Sequence, residues 1–311
     1  MSTPEKDKLV YLITVSRNHL LPTVMLLTTL TSKTQNKIYL VGNLNTPERQ
    51  WVEGFPIIYI DENDVDLSGR VPPGEWTPLR REWGWYKQQF LRLCADRYIQ
   101  AEQIIILDSE VFVFDNWDES RFYTEQGHPK YFYWIAKKRK SDIDYSMYRG
   151  AAYLYRDLPG FSNVMENANS DEAKRYISGV SLFSTQNLTH IWDTLARQTD
   201  LDKNMRLLLS GTLDISFAEY QFYGLAVEYG LCDGVVKTEL LPELLGWYDM
   251  HQDENFDCFR HQNPMWSMCQ RYYDIYAVND YKTYMQEVSQ FLGKPLPSLR
   301  MPDKKPSRST S

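Results

Sequence analysis

Short apolar runs alternate with longer amphipathic stretches along the first part of the chain. The runs at residues 9–15, 37–42 and 55–60 are rich in β-branched and aromatic residues, and each predicts a strand. After the first run, the apolar positions suit a helix that has Pro22 in its first turn. Strands that alternate with helices predict an α/β fold.

The pattern continues with a predicted surface loop at 61–78, which is rich in Gly, Pro and Asp, and a helix at 80–99. The next strand, at 103–107, has consecutive apolar residues, which indicates cover on both faces, as in a parallel sheet. Further along, we predict strands at 131–136, 151–155 and 179–184 and helices at 186–197 and 216–229. The proline-rich end, residues 295–311, predicts a mobile tail.

Composition excludes several classes of protein. The net charge of -7 argues against general electrostatic binding of nucleic acid. The basic run at 137–140 (KKRK) is interpreted as a solvated loop. The four cysteines form no CxxC pair, so neither a zinc knuckle nor a disulfide framework is expected. No leader-like start and no apolar run of about 20 residues is present, which favours a cytoplasmic protein, with peripheral contact to a membrane left open.

Asp108 and Glu110 follow the buried strand at 103–107 directly. Two carboxylates two residues apart would point to one side if the strand continued, and their mutual repulsion would be relieved by a divalent cation. Hard oxygen ligands select Mg²⁺ or Mn²⁺. The same D-x-[DE] spacing occurs at 64/66, 142/144 and 200/202, but those pairs lie in predicted polar loops or helix ends. The alternative for Asp108 and Glu110 is an edge turn with both carboxylates in water.

Four segments in order carry a resemblance to a known family: GWYKQQFLRL, LDSEVFVF, GVSLFST and SFAEYQFYG. They resemble a bacterial and viral family of GT-A-type glycosyltransferases, in which a GW..QQ..KL helix precedes an LDSD-type strand and an SEYELYG-type segment follows. Two departures are Glu110 in place of the second aspartate and Ala218 in place of a serine. The resemblance covers about residues 9–261.

The resemblance implies one GT-A-like α/β domain at 1–294, with a mixed, mainly parallel sheet flanked by helices. Its nucleotide-sugar half would span about 1–115 and its acceptor half 116–294, with the tail at 295–311. The implied activity is metal-dependent transfer of a sugar from a nucleotide-diphosphate sugar to a glycan, glycolipid or other hydroxyl acceptor. Mn²⁺ or Mg²⁺ would be the cofactor.

The resemblance implies a set of site residues, and several of them also have an ordinary structural explanation. Glu219 is the expected catalytic base of an inverting enzyme, with Asp214 as substitute, although Ser216-x-x-Glu219 also reads as a capping box. His261, ahead of His251, is the expected third metal ligand after Asp108 and Glu110. Expected donor-binding residues are Thr14, Ser16, Arg17, Lys87, Gln88, Gln89, Asp108, Ser109 and Gly179. Trp247 and Tyr248 would form an acceptor platform, and core packing is an equal alternative for them.

Three other functions remain open at this point. A non-catalytic module could keep the fold and bind a nucleotide sugar without turnover. A nucleotidyltransferase also uses paired carboxylates, but no glycine-rich phosphate loop follows the first strand. Glycosyl transfer to modified DNA is disfavoured by the acidic balance.

Overall fold

The computed structural model describes residues 6–74, 76–78, 82–135, 142–168, 170, 173–241, 244–249 and 265–270. The chain divides into two compact units that interleave along the sequence. The first unit comprises Met1–Leu9, Val65–Ile106 and Ser120–Leu240, and the second comprises Val10–Asp64, Leu107–Glu119 and Leu241–Ser311. The predicted domain end at 294 and the tail at 295–311 lie outside the described residues.

Strands and helices alternate through much of the described chain. The strands are β1 Asp7–Val15, β2 Ile38–Gly42, β3 Ile57–Asp61, β4 Ala101–Leu107, β5 Val111–Val113, β6 Lys130–Ile135, β7 Lys174–Arg175, β8 Val180–Ser184, β9 Val236–Glu239, β10 Leu245–Asp249 and β11 Trp266–Gln270. The α-helices are α1 Leu20–Leu30, α2 Thr46–Arg49, α3 Trp83–Leu93, α4 Asp142–Tyr155, α5 Val164–Asn167, α6 Thr185–Gln198, α7 Leu201–Leu209 and α8 Glu219–Glu228.

The largest sheet has five strands in the order β3-β2-β1-β4-β8. In the second unit, β1 pairs with β2 and β2 with β3, all parallel, so that Val15 lies opposite Gly42 and Gly42 opposite Asp61. The carboxyl ends of these three strands are therefore level. Every residue of β2 is buried, as is most of β1, which agrees with cover on both faces. The predicted α/β fold with a mainly parallel central sheet is confirmed.

Two small mixed sheets accompany the large one. In the second unit, β10 and β11 are parallel and β11 pairs antiparallel with β5, on which α1 packs. In the first unit, β6 pairs antiparallel with β7 and parallel with β9. None of the helices in the described part of the chain combines the length and the apolar character that crossing a bilayer requires.

Most predicted elements are present, and one is wrong. The strand predicted at 151–155 is the end of helix α4, which runs from Asp142 to Tyr155. Within 147–155, Met147, Tyr148, Ala151, Leu154 and Tyr155 are buried at one-, three- and four-residue spacings, which is a helical period that the segment 151–155 is too short to show. Helix α3 ends at Leu93, well before residue 99, and a 3₁₀ turn follows at Ala95–Arg97. The sequence pattern did not predict helices α2, α5 and α7.

Close backbone approaches in the first unit depend on two glycines. A Cβ at Gly150 of α4 would lie 1.6 Å from the carbonyl oxygen of Ser216, and one at Gly224 of α8 would lie 2.2 Å from the ring of Tyr176. Any side chain would collide at either position. The two glycines therefore allow α4 to pack against the segment that leads into α8, and α8 to pack against the Tyr176 ring.

Candidate functional site

The end of β1 leads straight into a helix in the second unit. Ser16 is extended, Arg17–His19 form a 3₁₀ turn, and α1 begins at Leu20. The first turn of α1 contains no acidic residue, and its N-cap residue His19 makes no side-chain capping bond. The helix dipole at such an end favours an anion, although the Leu20 N–H already donates to the Arg17 carbonyl oxygen and Pro22 has no N–H. Thr14 is fully buried, whereas Ser16 is half-buried and Arg17 is exposed.

Glu48 lies beside Arg17 and was not predicted. It closes a capping box at the start of α2: the Glu48 N–H donates to Asn45 Oδ1, and Glu48 Oε2 accepts from the Asn45 N–H, both at 2.9 Å. Glu48 Oε1 lies 3.2 Å from Arg17 Nε. The Asn45-x-x-Glu48 spacing is a readable capping signal, but its contact with Arg17 is not readable from sequence.

The turn after β4 holds the acidic pair. The strand ends at Leu107 and does not continue through Glu110, because the Val111 N–H closes a turn onto the Asp108 carbonyl oxygen at 3.1 Å. The expectation that the strand continues and points the Asp108 and Glu110 side chains to the same side is therefore wrong. Asp108 and Glu110 are both half-buried, and Ser109 between them is buried. The alternative of two carboxylates standing in open water is not what the structure has.

His19 joins this turn to the β1–α1 junction, and it too was not predicted. Its Nδ1 lies 2.7 Å from Ser109 Oγ and 3.3 Å from Glu110 Oε2, and Ser109 Oγ donates to Glu110 Oε2 at 2.9 Å. Since the Ser109 hydroxyl donates to Glu110, it accepts from His19. Burial acts to raise the pKa of the Glu110 carboxyl, but the interactions with His19, together with hydrogen bonds from Ser109 and the backbone, outweigh it, so that this pKa lies below its ordinary value.

The donor set around the turn suits a cation that is shared with a ligand. Among the described residues, no group of three or more His, Cys, Asp and Glu side chains is arranged to hold a metal. Asp108 and Glu110 supply hard oxygen atoms, and Mg²⁺ or Mn²⁺ commonly binds through one or two carboxylates while it keeps positions for phosphate oxygens. The residues therefore fit an ion of that kind. His251 and His261 lie outside the described residues.

The predicted base Glu219 lies in the first unit, at the start of α8. Its side chain is 1% exposed and accepts a hydrogen bond from Arg92 Nη1, while its backbone N–H donates to Gln89 Oε1 at 3.2 Å. The N-cap of α8 is Ala218, without a side-chain capping bond, so the capping-box interpretation of Ser216 is wrong. The Ser216 N–H instead donates to the carbonyl oxygen of Ser146 at 3.3 Å. Glu219 is thus committed to a buried ion pair.

The other predicted residues of the first unit are placed as follows. Lys87 and Gln88 are half-buried on α3, Gln89 is buried, and Asp214 is exposed in the segment before α8. Gly179 has a φ of 71°, a left-handed conformation that alone explains a glycine there.

The structure also describes the backbone of the predicted acceptor platform and the positions of the other acidic pairs. Trp247 and Tyr248 lie in β10, opposite Met268 and Cys269 of β11, and only the backbone is described there. The other acidic pairs agree with the expectation of loops and helix ends: Asp200 caps α7, and Asp66 accepts from the Ser68 N–H in a loop.

Comparisons with known proteins give structural likenesses only. No family model matches the chain, and no curated protein matches it. An active-site mutant of LgtC is similar with a TM-score of 0.49 and 10% identity, over 90% of this chain and 95% of that chain. The galactosyltransferase LgtC in complex with donor and acceptor sugar analogues is similar with a TM-score of 0.49 and 12% identity, over 94% of this chain and 97% of that chain. The bifunctional glycosyltransferase WbbM in its apo form is similar with a TM-score of 0.48 and 8% identity, over 96% of this chain and 53% of that chain.

Proposed function

We propose that this protein is a metal-dependent glycosyltransferase that moves a sugar from a nucleotide-diphosphate sugar to a hydroxyl acceptor. The observation that supports the proposal most directly is the contact between the acidic turn at Asp108–Glu110 and the β1–α1 junction through His19. Carboxylates suited to a divalent cation and a helix start suited to an anion thus lie together in the second unit. A nucleotide diphosphate, which binds as a complex with such a cation, satisfies both features.

Each residue of this cluster has a role in the proposal. Asp108 and Glu110 hold Mn²⁺ or Mg²⁺, and His19 and Ser109 orient the Glu110 carboxylate. A bound divalent ion would neutralise the negative charge that develops on the diphosphate leaving group. Arg17 binds the phosphates, beside the positive end of the α1 dipole.

Acceptor activation needs a group that takes the proton of the attacking hydroxyl, and a single displacement inverts the sugar. Glu219 is buried against Arg92, so its carboxylate is engaged, whereas Asp214 is exposed. We therefore favour Asp214 as the base and assign Glu219 a structural part. Trp247 and Tyr248 remain the proposed acceptor platform.

The test is release of nucleotide from a panel of UDP- and GDP-sugars with Mn²⁺ or Mg²⁺ and a set of sugar acceptors. We expect Asp108→Asn and Glu110→Gln each to lower turnover by about a hundredfold or more, since each removes a metal oxygen. Asp115→Asn is the matched control, because Asp115 follows in the same segment, is 93% exposed and forms an ion pair with Lys33. Equal activity of Asp108→Asn and Asp115→Asn would contradict the proposal.

Two other outcomes identify the rival functions. Nucleotide binding without any turnover in the parent protein indicates a binding module. Pyrophosphate as the product indicates nucleotidyl transfer. For the base, we expect Asp214→Asn to lower turnover by about a hundredfold or more and folded Glu219→Gln to keep it; the reverse result assigns the base to Glu219.

A further inference from the structure

We propose that Gln89 donates a hydrogen bond through Nε2 to a hydroxyl group of a neutral sugar, and that the start of α8 orients its amide for this contact. The inference rests on the proposed function, because it names the sugar as the part of the substrate that Gln89 recognises. Neither the acidic turn nor the β1–α1 junction takes part in it.

The start of α8 is held on α3 by three contacts within the first unit. The Phe217 ring is stacked on the Phe90 ring, with the ring centroids 5.4 Å apart. The Glu219 N–H donates to Gln89 Oε1 at 3.2 Å, and the Glu219 carboxylate accepts a hydrogen bond from Arg92. All five residues are buried. Because the N-cap residue of α8 supplies no side-chain cap, Gln89 takes its place from another helix.

The two ends of the Gln89 amide differ in what they contact. An N–H group donates to the amide oxygen, so the bond from Glu219 fixes which end is Oε1 and turns Nε2 the other way. None of the hydrogen bonds within the described part of the chain uses Gln89 Nε2, although the residue is only 4% exposed. A donor that is largely withdrawn from water and has no partner is unfavourable, and a ligand that accepts its hydrogen bond removes that cost.

Gln221 of α8 shows the contacts of a buried glutamine that has a purely internal role. Its Oε1 accepts the Tyr176 N–H at 3.3 Å, and its Nε2 donates to the Lys174 carbonyl oxygen at 3.2 Å. Both ends of this amide are therefore used within the first unit. Gln89 is similarly buried but keeps an unused donor, and this difference indicates a ligand.

The surroundings of Gln89 favour a neutral acceptor of this hydrogen bond. The nearby Glu219 carboxylate is already paired with Arg92, and an uncharged N–H donor does not compensate the charge of a phosphate that leaves water. Lys87, two residues before Gln89, lies on the opposite side of α3. Trp85, one turn before Gln89 on the same side of α3, is half-buried. An aromatic ring beside an amide donor suits the apolar face and the hydroxyl groups of a sugar.

The experiment compares the parent with Gln89→Glu, which keeps an oxygen for the Glu219 N–H and removes the Nε2 donor. Calorimetric titration in buffer that contains Mg²⁺ measures UDP, GDP, UDP-glucose, UDP-galactose and GDP-mannose, and saturation-transfer NMR measures the methyl glycosides of glucose, galactose and mannose. We expect Gln89→Glu to bind a nucleotide sugar about tenfold more weakly and the free nucleotide within about twofold of the parent. The same weakening for a methyl glycoside alone would identify an acceptor sugar as the source of the hydroxyl.

Gln221→Glu is the matched control, because it makes the same chemical change at a donor that the protein itself uses. We expect this variant to have a lower thermal midpoint than the parent and sugar affinity within about twofold of it. If Gln89→Glu does not give the circular dichroism spectrum of the parent, Gln89→Met, which is of similar length and carries no charge, replaces it in the same titrations.

The outcomes separate this inference from the proposed function. If Gln89→Glu binds every sugar and nucleotide sugar as the parent does, or loses affinity for nucleotide and nucleotide sugar to the same extent, the role of Gln89 is overturned, and turnover by the parent leaves the function intact. Weakened binding of a methyl glycoside without any nucleotide binding supports the role of Gln89 and contradicts nucleotide-sugar transfer. Failure of the parent to bind any of these ligands overturns both.

Discussion

Two glutamates at helix starts, one in each unit, are equally buried but differ in their partners. Glu219 begins α8 and is paired with Arg92, whose side chain is 4% exposed, whereas Glu48 lies in the first turn of α2 and is paired with Arg17, whose side chain is 43% exposed. Burial of the carboxylate is therefore the same in both places. The exposure of the arginine distinguishes a pair that is enclosed in the core from a pair that lies at the surface.

The largest effect is expected in the fully buried pair. Arg92→Met leaves the Glu219 carboxylate without its cation in a dry environment, which we expect to lower the free energy of unfolding by about 3–5 kcal/mol. Replacing both members, as Arg92→Met with Glu219→Leu, removes the uncompensated charge and should recover most of the loss. Urea denaturation followed by circular dichroism measures both. A double variant that is as unstable as the single one would contradict this account.

The half-exposed pair should respond less. Arg17→Met leaves Glu48 buried, but its Oε2 keeps the Asn45 N–H, and water can reach the place of the lost guanidinium. We expect a loss of about 1–2 kcal/mol, in the range found for a polar group that loses its partner. The same urea titration measures it. A loss as large as that of Arg92→Met would remove the distinction between the two pairs.

A third carboxylate, Glu228, provides a pH test of intermediate size. Burial acts to raise its pKa, but hydrogen bonds from Lys174, Tyr176 and Lys237 outweigh it, and the pKa lies below the ordinary value of 4.5. A pKa that is lower in the folded state stabilises the protein above pH 4.5, and this stabilisation is lost as the pH falls through the lowered value. We expect Glu228→Gln to be less stable than the parent at pH 7 and the difference to shrink below pH 4.5. A difference that stays constant down to pH 3 would contradict the assignment.

The smallest effect is expected where both members of a pair lie in water. Arg206 Nε donates to Asp202 Oδ2 at 2.7 Å on the surface of α7. Such exposed pairs one turn apart contribute little and are screened by salt. We expect Asp202→Ala to leave the thermal midpoint unchanged within measurement error, which differential scanning fluorimetry can check. A clear shift would show that exposure of the partners is not what ranks these pairs.

The local sequence pattern was sufficient to predict the strands of the sheet and the position of the acidic pair at the end of one of them. The apolar runs that became β1, β2 and β4 are short and rich in β-branched and aromatic residues, a local signal that needs no information from elsewhere, and Asp108 follows β4 as expected. The contacts that define the site are of another kind. His19 and Ser109 are 90 residues apart, and Arg92 and Glu219 are 127 residues apart.

Sequence patterns over a few residues carry no information about contacts at such separations. They therefore do not predict His19 as the partner of Glu110. They also favour a capping box at Ser216-x-x-Glu219, where the structure has an ion pair with the distant Arg92. The capping signal at Asn45-x-x-Glu48 was present in the sequence, but a cap predicts only one of the two Glu48 contacts. The prediction of a strand at 151–155 is wrong because these five residues are too few to show the helical period, whereas buried residues of α4 already occur at Met147 and Tyr148.

The interleaving of the two units has a consequence for the order in which the chain can fold during synthesis. The first unit combines Met1–Leu9 and Val65–Ile106 with Ser120–Leu240, and the second combines Val10–Asp64 with Leu107–Glu119 and Leu241–Ser311. Neither unit is formed by one continuous stretch of sequence. Neither unit is therefore complete when about the first hundred residues have left the ribosome. The last segment of the first unit ends at Leu240, so the contacts of that unit can be complete only after Leu240 has been synthesised.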